Sequence, residues 1–310
     1  MRSAAIMAAT ILAANLAVGQ TNTTPNPGPS AGTAAGKTPA SGAPRVLQAK
    51  SQEELKTYQD AFAKTEPALV EAAADDFAAK YPNSELRASL YIRAMNLYSQ
   101  SNDTEKVIVT GEKAIADDPI NPIPLVQVAS AIAETTRETD LDREQQLALA
   151  AKDAHAAIDN IDTGLILPAN ADPQKVAAAK RNIQTMAYDT LGMIDMNKKD
   201  YPAAEQHLQK AIELSKDNPE AVLYLRLSVA QDHLQQYPQA LDSANKAVRY
   251  AKDGSAAQNL GKQQQSRVQK LMAAAAVAGE APAPGAATPG AAPGSPATTP
   301  SPSPVPTTPH

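Results

Sequence analysis

A repeat with a period of 36 residues constrains the fold of this 310-residue chain more than any other feature. The matches combine small, large and turn-forming residue types at one fixed offset, which chance rarely produces. A fixed period of this size is typical of a solenoid, in which each unit buries its apolar face against the next. The matching pairs are Tyr188 and Tyr224, Leu191 and Leu227, Tyr201 and Tyr237, Pro202 and Pro238, Ala204 and Ala240, and Ala211 and Ala247.

Each unit has the pattern of a helix, a turn and a second helix. Tyr188, Leu191 and Ile194 have the spacing of one helix face, and the polar turn 197–200 follows them. Pro202 then falls in the first turn of the second helix, where its missing N–H does no harm. The inner face of that second helix consists of Ala204, Leu208, Ala211 and Ile212.

This pattern resembles the tetratricopeptide repeat (TPR). In the unit 185–220 the resemblance rests on Tyr188, Leu191, Gly192, Ala204, Leu208 and Ala211, and the unit 221–254 repeats it. An upstream unit, 88–121, is in register, with Gly111 where the family has Phe, which predicts a thin contact between its helices. A further unit begins at Pro122.

The two ends of the repeat region depart from the repeat pattern. A degenerate helix pair is predicted at 51–64 and 67–80, and a polar, basic helix at 254–278 has the composition of a solvating cap, which open arrays need. The resemblance therefore implies an all-α fold. We expect a TPR-type α-α superhelix, right-handed, of about five helix pairs plus a C-terminal capping helix, with disordered termini.

Composition divides the chain into four segments. Of the 25 prolines, five lie in 20–45 and ten in 280–310, and these nearly uncharged tracts are predicted to be disordered. The segment 46–279 between them is predicted to be the helical repeat domain. Residues 1–19 have a basic Arg2, a short apolar run and small residues before Gln20, which predicts a cleaved signal peptide. The alternatives are a retained membrane anchor and an apolar start that arose by chance.

The composition also argues against several classes of function. The chain has no cysteine, a net charge of −5 and 4% aromatic residues, so thiol chemistry, nucleic-acid binding and an aromatic-lined cofactor pocket are not expected. The four histidines are scattered, and the glycine-rich stretches fall in the tails. We therefore expect no enzyme activity, no cofactor and no metal site.

A partner-binding groove is the site that the resemblance implies, because first helices line the concave surface in this family. Met186, Met193 and Met196 would give it a soft, apolar and adaptable character. The alternative is that neighbouring helices or the connection 159–172 cover this surface. The nine candidate residues are Met186, Asp189, Met193, Met196, Val222, Leu225, Val229, Asp232 and His233; upstream, Ser89, Ile92, Asn96, Ser99, Ile123, Val126 and Ser130 continue the same surface.

These features predict an exported, non-enzymatic interaction scaffold of the cell envelope. Its partner would be a protein that presents an apolar peptide or helix, and the mature chain would carry no integral membrane segment. The stretch 77–84, with Tyr91 and Tyr98, is similar to bacterial envelope TPR proteins, although the chain has no lipid-anchor cysteine. We expect a periplasmic or secreted protein. The alternative function is a structural spacer that assembles through its repeats and tails, and the oligomeric state stays open.

Overall fold

The computed structural model describes residues 45–168 and 170–280. The predicted signal peptide, all of the predicted linker except Arg45, and the predicted tail beyond Glu280 lie outside the described residues. By contacts the chain divides after Met272 into two compact units. The first unit contains the helical array, and the second begins with the last turns of the final helix, which continue to Glu280.

Helices account for nearly all regular structure in the described residues. The one exception there is an isolated parallel bridge between Arg45 and Ile166. This confirms the predicted all-α class. The helices are α1 (Gln52–Phe62), α2 (Pro67–Lys80), α3 (Arg87–Gln100), α4 (Thr104–Asp117), α5 (Pro122–Thr135), α6 (Arg143–Asp159), α7 (Pro173–Asn197), α8 (Tyr201–Leu214), α9 (Ala221–His233), α10 (Tyr237–Tyr250) and α11 (Ala256–Glu280).

The helices pack in sequence as five pairs followed by α11. Within each pair the two helices contact one another, and from the first pair to the fifth each second helix also packs against the first helix of the next pair. The array is therefore a TPR-type superhelix with the predicted number of pairs and the predicted C-terminal helix.

Three of the pairs share one turn geometry. The turns of the α3–α4, α7–α8 and α9–α10 pairs are each three residues long. Their middle residues, Asn102, Lys199 and Gln235, have φ values of 58°, 62° and 60°. In each turn the next residue donates its backbone N–H to the carbonyl five positions earlier, at 2.9 to 3.0 Å. The α5–α6 pair instead has a longer loop, 136–142.

Helix α7 is longer than the repeat predicts. The repeat pattern starts this unit at residue 185, but the helix begins at Pro173, which occupies its first turn after the N-cap Asp172. The Oδ1 atom of Asp172 accepts a hydrogen bond from the N–H of Gln174 at 2.8 Å. The first twelve residues of α7 are therefore an extension outside the repeat.

The α3–α4 contact is tight at Gly111, where the sequence predicts a thin contact. A Cβ atom at this position would lie 2.2 Å from Cγ2 of Val128 and 3.0 Å from Sδ of Met95. Both neighbours are fully buried. The prediction was wrong because side chains of α5 and α3 fill the space that a Phe occupies in the family pattern.

A buried carboxylate holds α2 to the next pair. Glu71 accepts hydrogen bonds from Oη of Tyr98 at 2.9 Å and from Nζ of Lys106 and of Lys113, each at 3.1 Å. Burial alone would raise the pKa of Glu71, but these three donors outweigh it and lower that pKa from its ordinary 4.5. Helix α2 is thereby held to the α3–α4 pair by charge-assisted hydrogen bonds as well as by apolar packing.

Candidate functional site

The nine residues predicted to face one groove lie in different environments. Met196, Leu225 and Val229 line one cavity, Val222 lines a second and smaller one, and the other five are placed elsewhere. Met186 and Met193 belong to core clusters, Asp189 and Asp232 form ion pairs, and His233 stacks on an aromatic ring.

Helix spacing explains the different positions of the methionines. Helix α5 packs closely against α7, whereas α7 and α9 make few contacts. Met193 therefore lies in the core that α5 and α7 share, with only 9% of its surface exposed. Met196 lies one turn later on α7, where α7 and α9 make few contacts, and it lines the larger of the two cavities.

The first helices of the pairs together form one surface, which we call the first-helix surface. Other segments of the chain cover the upstream part of it. Leu47 and Ile166 pack in the same cluster as Ile92, and Leu167 packs in the same cluster as Ile123 and Met186. The connection between α6 and α7, predicted as an alternative cover, thus occupies part of this surface.

The two covering segments hold one another in place. The N–H of Leu167 donates to the carbonyl of Arg45 at 3.1 Å, and the Arg45 guanidinium pairs with Asp118 at 2.8 Å. Gly164 lets the α6–α7 connection approach the turn between α4 and α5 closely, since a Cβ atom there would lie 1.8 Å from the carbonyl oxygen of Ile120. Only glycine fits at this crossing of backbones.

The downstream part of the surface contains a cavity of about 860 Å³. It lies among α7, α9 and α11. The first two are first helices of their pairs, and α11 occupies the position that the first helix of a further pair would take. Its lining consists of five apolar side chains and six polar ones, which are amides, cations and a serine and which we call the rim. The lining residues are Met196, Leu225, Arg226, Val229, Leu260, Gln263, Gln264, Ser266, Arg267, Lys270 and Leu271.

Carboxylates behind the cavity hold two of its three cations in place. Asp189 pairs with Arg226, and Glu134 lies 4.0 Å from the same guanidinium. Asp232, buried beneath α11, accepts hydrogen bonds from Nε of Arg267 at 2.6 Å and from Nε2 of Gln264 at 3.2 Å. The predicted residues Asp189 and Asp232 therefore orient the rim of the cavity and do not line it.

Two further carboxyl groups near Arg226 have perturbed acidity. Burial raises the pKa of Glu134, Arg226 opposes that shift, and Asp189 adds to it. Burial likewise raises the pKa of Glu220, and Asp189 again adds to the shift. The second oxygen of Asp189, Oδ1, is buried without a hydrogen-bond partner among the described residues. Arg226 is thus the centre of a crowded acidic group.

Two of the histidines contact side chains of neighbouring helices. His233 stacks on Tyr201, with ring centroids 4.1 Å apart and planes 3° from parallel, and so turns toward α8. Nδ1 of His207 lies 2.6 Å from a carboxylate oxygen of Asp195. Across residues 45–168 and 170–280, no group of three or more histidine or carboxylate side chains is arranged to bind a metal ion.

Sequence reasoning missed the wall that α11 contributes. That helix was predicted to be a solvating cap, but Gln264 and Val268 are buried while Leu260 and Leu271 face the cavity. The spacing of Leu260, Gln263, Arg267 and Leu271 has the helical period and was the available signal.

No helix in the described part of the chain is both long enough and apolar enough to cross a bilayer. No protein-family model matches the chain, and no curated protein matches it.

Among solved structures, the chain is similar to the APC/C hetero-tetramer Cut9–Hcn1 at 15% identity and a TM-score of 0.33, over 70% of this chain and 42% of that one. It is also similar to Acl4, the assembly chaperone of RpL4, at 11% identity and a TM-score of 0.34, over 72% of this chain and 99% of that one. The chain thus spans less than half of the Cut9–Hcn1 chain. Identity and TM-score are low in both cases, and neither similarity identifies a partner.

Proposed function

We propose that this protein is a non-enzymatic interaction scaffold that binds an apolar segment of a partner protein in the cavity among α7, α9 and α11. The cavity itself is the observation that carries this proposal. Its volume of about 860 Å³ falls in the range of ligand sites, and five of its eleven lining side chains are apolar: Met196, Leu225, Val229, Leu260 and Leu271. None of the eleven lining residues is a carboxylate, a histidine or a cysteine.

The expected affinity is modest. Each apolar side chain that a partner buries in the cavity contributes about 1.5–3 kcal/mol. Association costs several kcal/mol in lost freedom, so two or three such side chains, with rim contacts added, give an affinity on the order of micromolar. Micromolar binding suits a scaffold that exchanges partners.

A structural spacer is the second candidate, and one observation favours it. The upstream part of the first-helix surface is filled by Leu47 and by the connection that contains Ile166 and Leu167. That part offers a partner little open surface, as in an array whose task is to hold its ends apart. The two candidates differ in whether the downstream cavity has an occupant.

We also propose that the protein acts outside the cytoplasm, in the periplasm or beyond. The support is the sequence of residues 1–19, with Arg2, a short apolar run and small residues before Gln20. With no cysteine in the chain, stability there depends on helix packing and ion pairs.

Site-specific photo-crosslinking in the cells that make the protein tests the scaffold function. A photoreactive amino acid replaces Val229 in the cavity or, as the control position, the exposed Gln206 on α8. We expect Val229 to crosslink to one discrete segment of one protein and Gln206 not to do so. The variant Leu225→Gln/Val229→Gln should lose that partner in pull-downs, and Leu69→Gln, a matched change at a 55% exposed leucine on α2, should keep it. Identical crosslinks at both positions would exclude the cavity as the binding site.

A further inference from the structure

We propose that the partner segment is anionic: an apolar stretch flanked by aspartate or glutamate, whose carboxylates bind the α11 wall of the cavity. This inference rests on the proposed function and specifies the chemistry of the partner. The cavity lining includes Arg226, Arg267 and Lys270 and no carboxylate. From residue 256 to residue 276, α11 has three cations, which are Lys262, Arg267 and Lys270, and no acidic residue.

Arg267 is positioned to bind a second carboxylate in addition to that of Asp232. It hydrogen-bonds to Asp232 through Nε alone, while 60% of its side chain is exposed. The Asp232 carboxylate, 5% exposed, fixes the guanidinium from beneath. The terminal nitrogens of Arg267 make no hydrogen bond within the described residues. A planar guanidinium held at one edge binds an incoming carboxylate with little further loss of side-chain freedom.

Lys270 adds an unbalanced charge one turn away. It forms no ion pair within residues 45–168 and 170–280, and its side chain is exposed beside Leu271. After Asp232 balances Arg267, the α11 wall still carries net positive charge. Such a rim raises the association rate of anionic segments and disfavours cationic ones.

The occupant comes from another molecule. Residues 1–44 and 281–310, which lie outside the described residues, contain no aspartate or glutamate. Neither segment can therefore supply the side-chain carboxylates that the α11 wall would bind. The charge of the rim thus selects a foreign partner over the termini of this chain.

Peptide selection on the full-length protein tests the inference. A displayed random dodecapeptide library is selected on the wild type, with counter-selection on Leu225→Gln/Val229→Gln to retain only cavity-dependent peptides. We expect these peptides to combine apolar residues with an excess of Asp and Glu over Lys and Arg. Enriched peptides are then synthesised with amidated C-termini, so that a terminal carboxylate cannot replace the side chains, and their affinities are measured by fluorescence anisotropy.

The charge-specific variants form a matched pair. Lys270→Glu should weaken binding of the acidic peptides by about tenfold, which is about 1.4 kcal/mol. Lys262→Glu makes the same charge change on the same helix outside the cavity lining and should leave affinity within about twofold. Replacing the peptide carboxylates with amides should weaken binding similarly, and the loss should shrink as salt rises.

The outcomes separate this inference from the proposed function. Cavity-dependent peptides without an acidic excess, bound equally by Lys270→Glu, would overturn the anionic partner and leave the scaffold function standing. Failure to enrich any cavity-dependent peptide would overturn both. Self-association of the wild type that Lys270→Glu abolishes would identify a second copy as the occupant and overturn the foreign partner.

Discussion

Replacing Gly111 with alanine should destabilise the array, although alanine is the better helix former. The new Cβ would lie 2.2 Å from Cγ2 of Val128, whereas ordinary contacts begin at 3.4 Å. The required displacement exceeds an ångström. Val128 is fully buried and β-branched, so it has neither space nor an alternative rotamer to move into. Met95, 3.0 Å away, restricts the other side.

Two opposing terms give the magnitude. Alanine gains about 1 kcal/mol over glycine in a helix interior. Overpacking a filled core costs about 1–3 kcal/mol, and the severity of the clash at Val128 places this site at or slightly above the upper end. We expect a net loss of about 2 kcal/mol, which corresponds to a fall in Tm of about 4–8 °C for an array of this size.

Urea unfolding followed by circular dichroism measures this loss, with Val128→Ala as the partner change. Removing Cγ2 relieves the clash. The double variant Gly111→Ala/Val128→Ala should therefore lose less free energy of unfolding than the two single variants lose together, by about 1 kcal/mol or more. Two results would refute the packing argument: a Gly111→Ala variant as stable as the wild type, or a double variant whose loss in free energy of unfolding equals the sum of the two single losses.

Three further predictions concern Glu71, α11 and residues 1–19. Glu71→Gln should cost about 1–2 kcal/mol at neutral pH. Because the folded-state pKa of Glu71 lies below 4.5, its contribution is present above that value and lost as pH falls through the folded pKa. Denaturant titrations should therefore show the deficit closing in acid. Deleting 254–280 should cause aggregation in size-exclusion chromatography, because Asp232 loses Arg267 and Gln264 and the face beneath α11 is exposed; a monomeric variant with an unchanged melt would contradict this. The mass of the native protein should lack residues 1–19, and a mature chain that retains them would contradict export.

The sequence was sufficient to predict the fold class because the repeat signals are local. The turn residues Lys199 and Gln235 lie one period apart and have nearly the same backbone conformation, and the prolines near helix starts mark where the elements begin. The extension 173–184 of α7 was missed because it has no counterpart in the next unit. A period reveals only the elements that repeat.

The candidate site was predicted in part. Met193 and Met196 lie three residues apart on one helix, and their sequence contexts do not distinguish them. Their different burial follows from the spacing between α5 and α7 compared with that between α7 and α9, which no periodic pattern encodes. The basic, glutamine-rich composition of α11 indicated a solvated helix, yet buried Gln264 and Val268 on one face leave Leu260 on the neighbouring face to line the cavity.

The contact between Arg45 and the α6–α7 connection has a consequence for the order in which the protein is made and folds. The Arg45 side chain and the carbonyl of Gly164 lie 119 positions apart in sequence, although most contacts of a repeat array join near neighbours. A chain leaves the ribosome N-terminus first, so Leu47 can pack with earlier residues such as Phe77 and Leu90, but its cover by Ile166 forms only after that residue has been synthesised. The first two helix pairs thus complete their packing only after the third pair, α5–α6, has been synthesised.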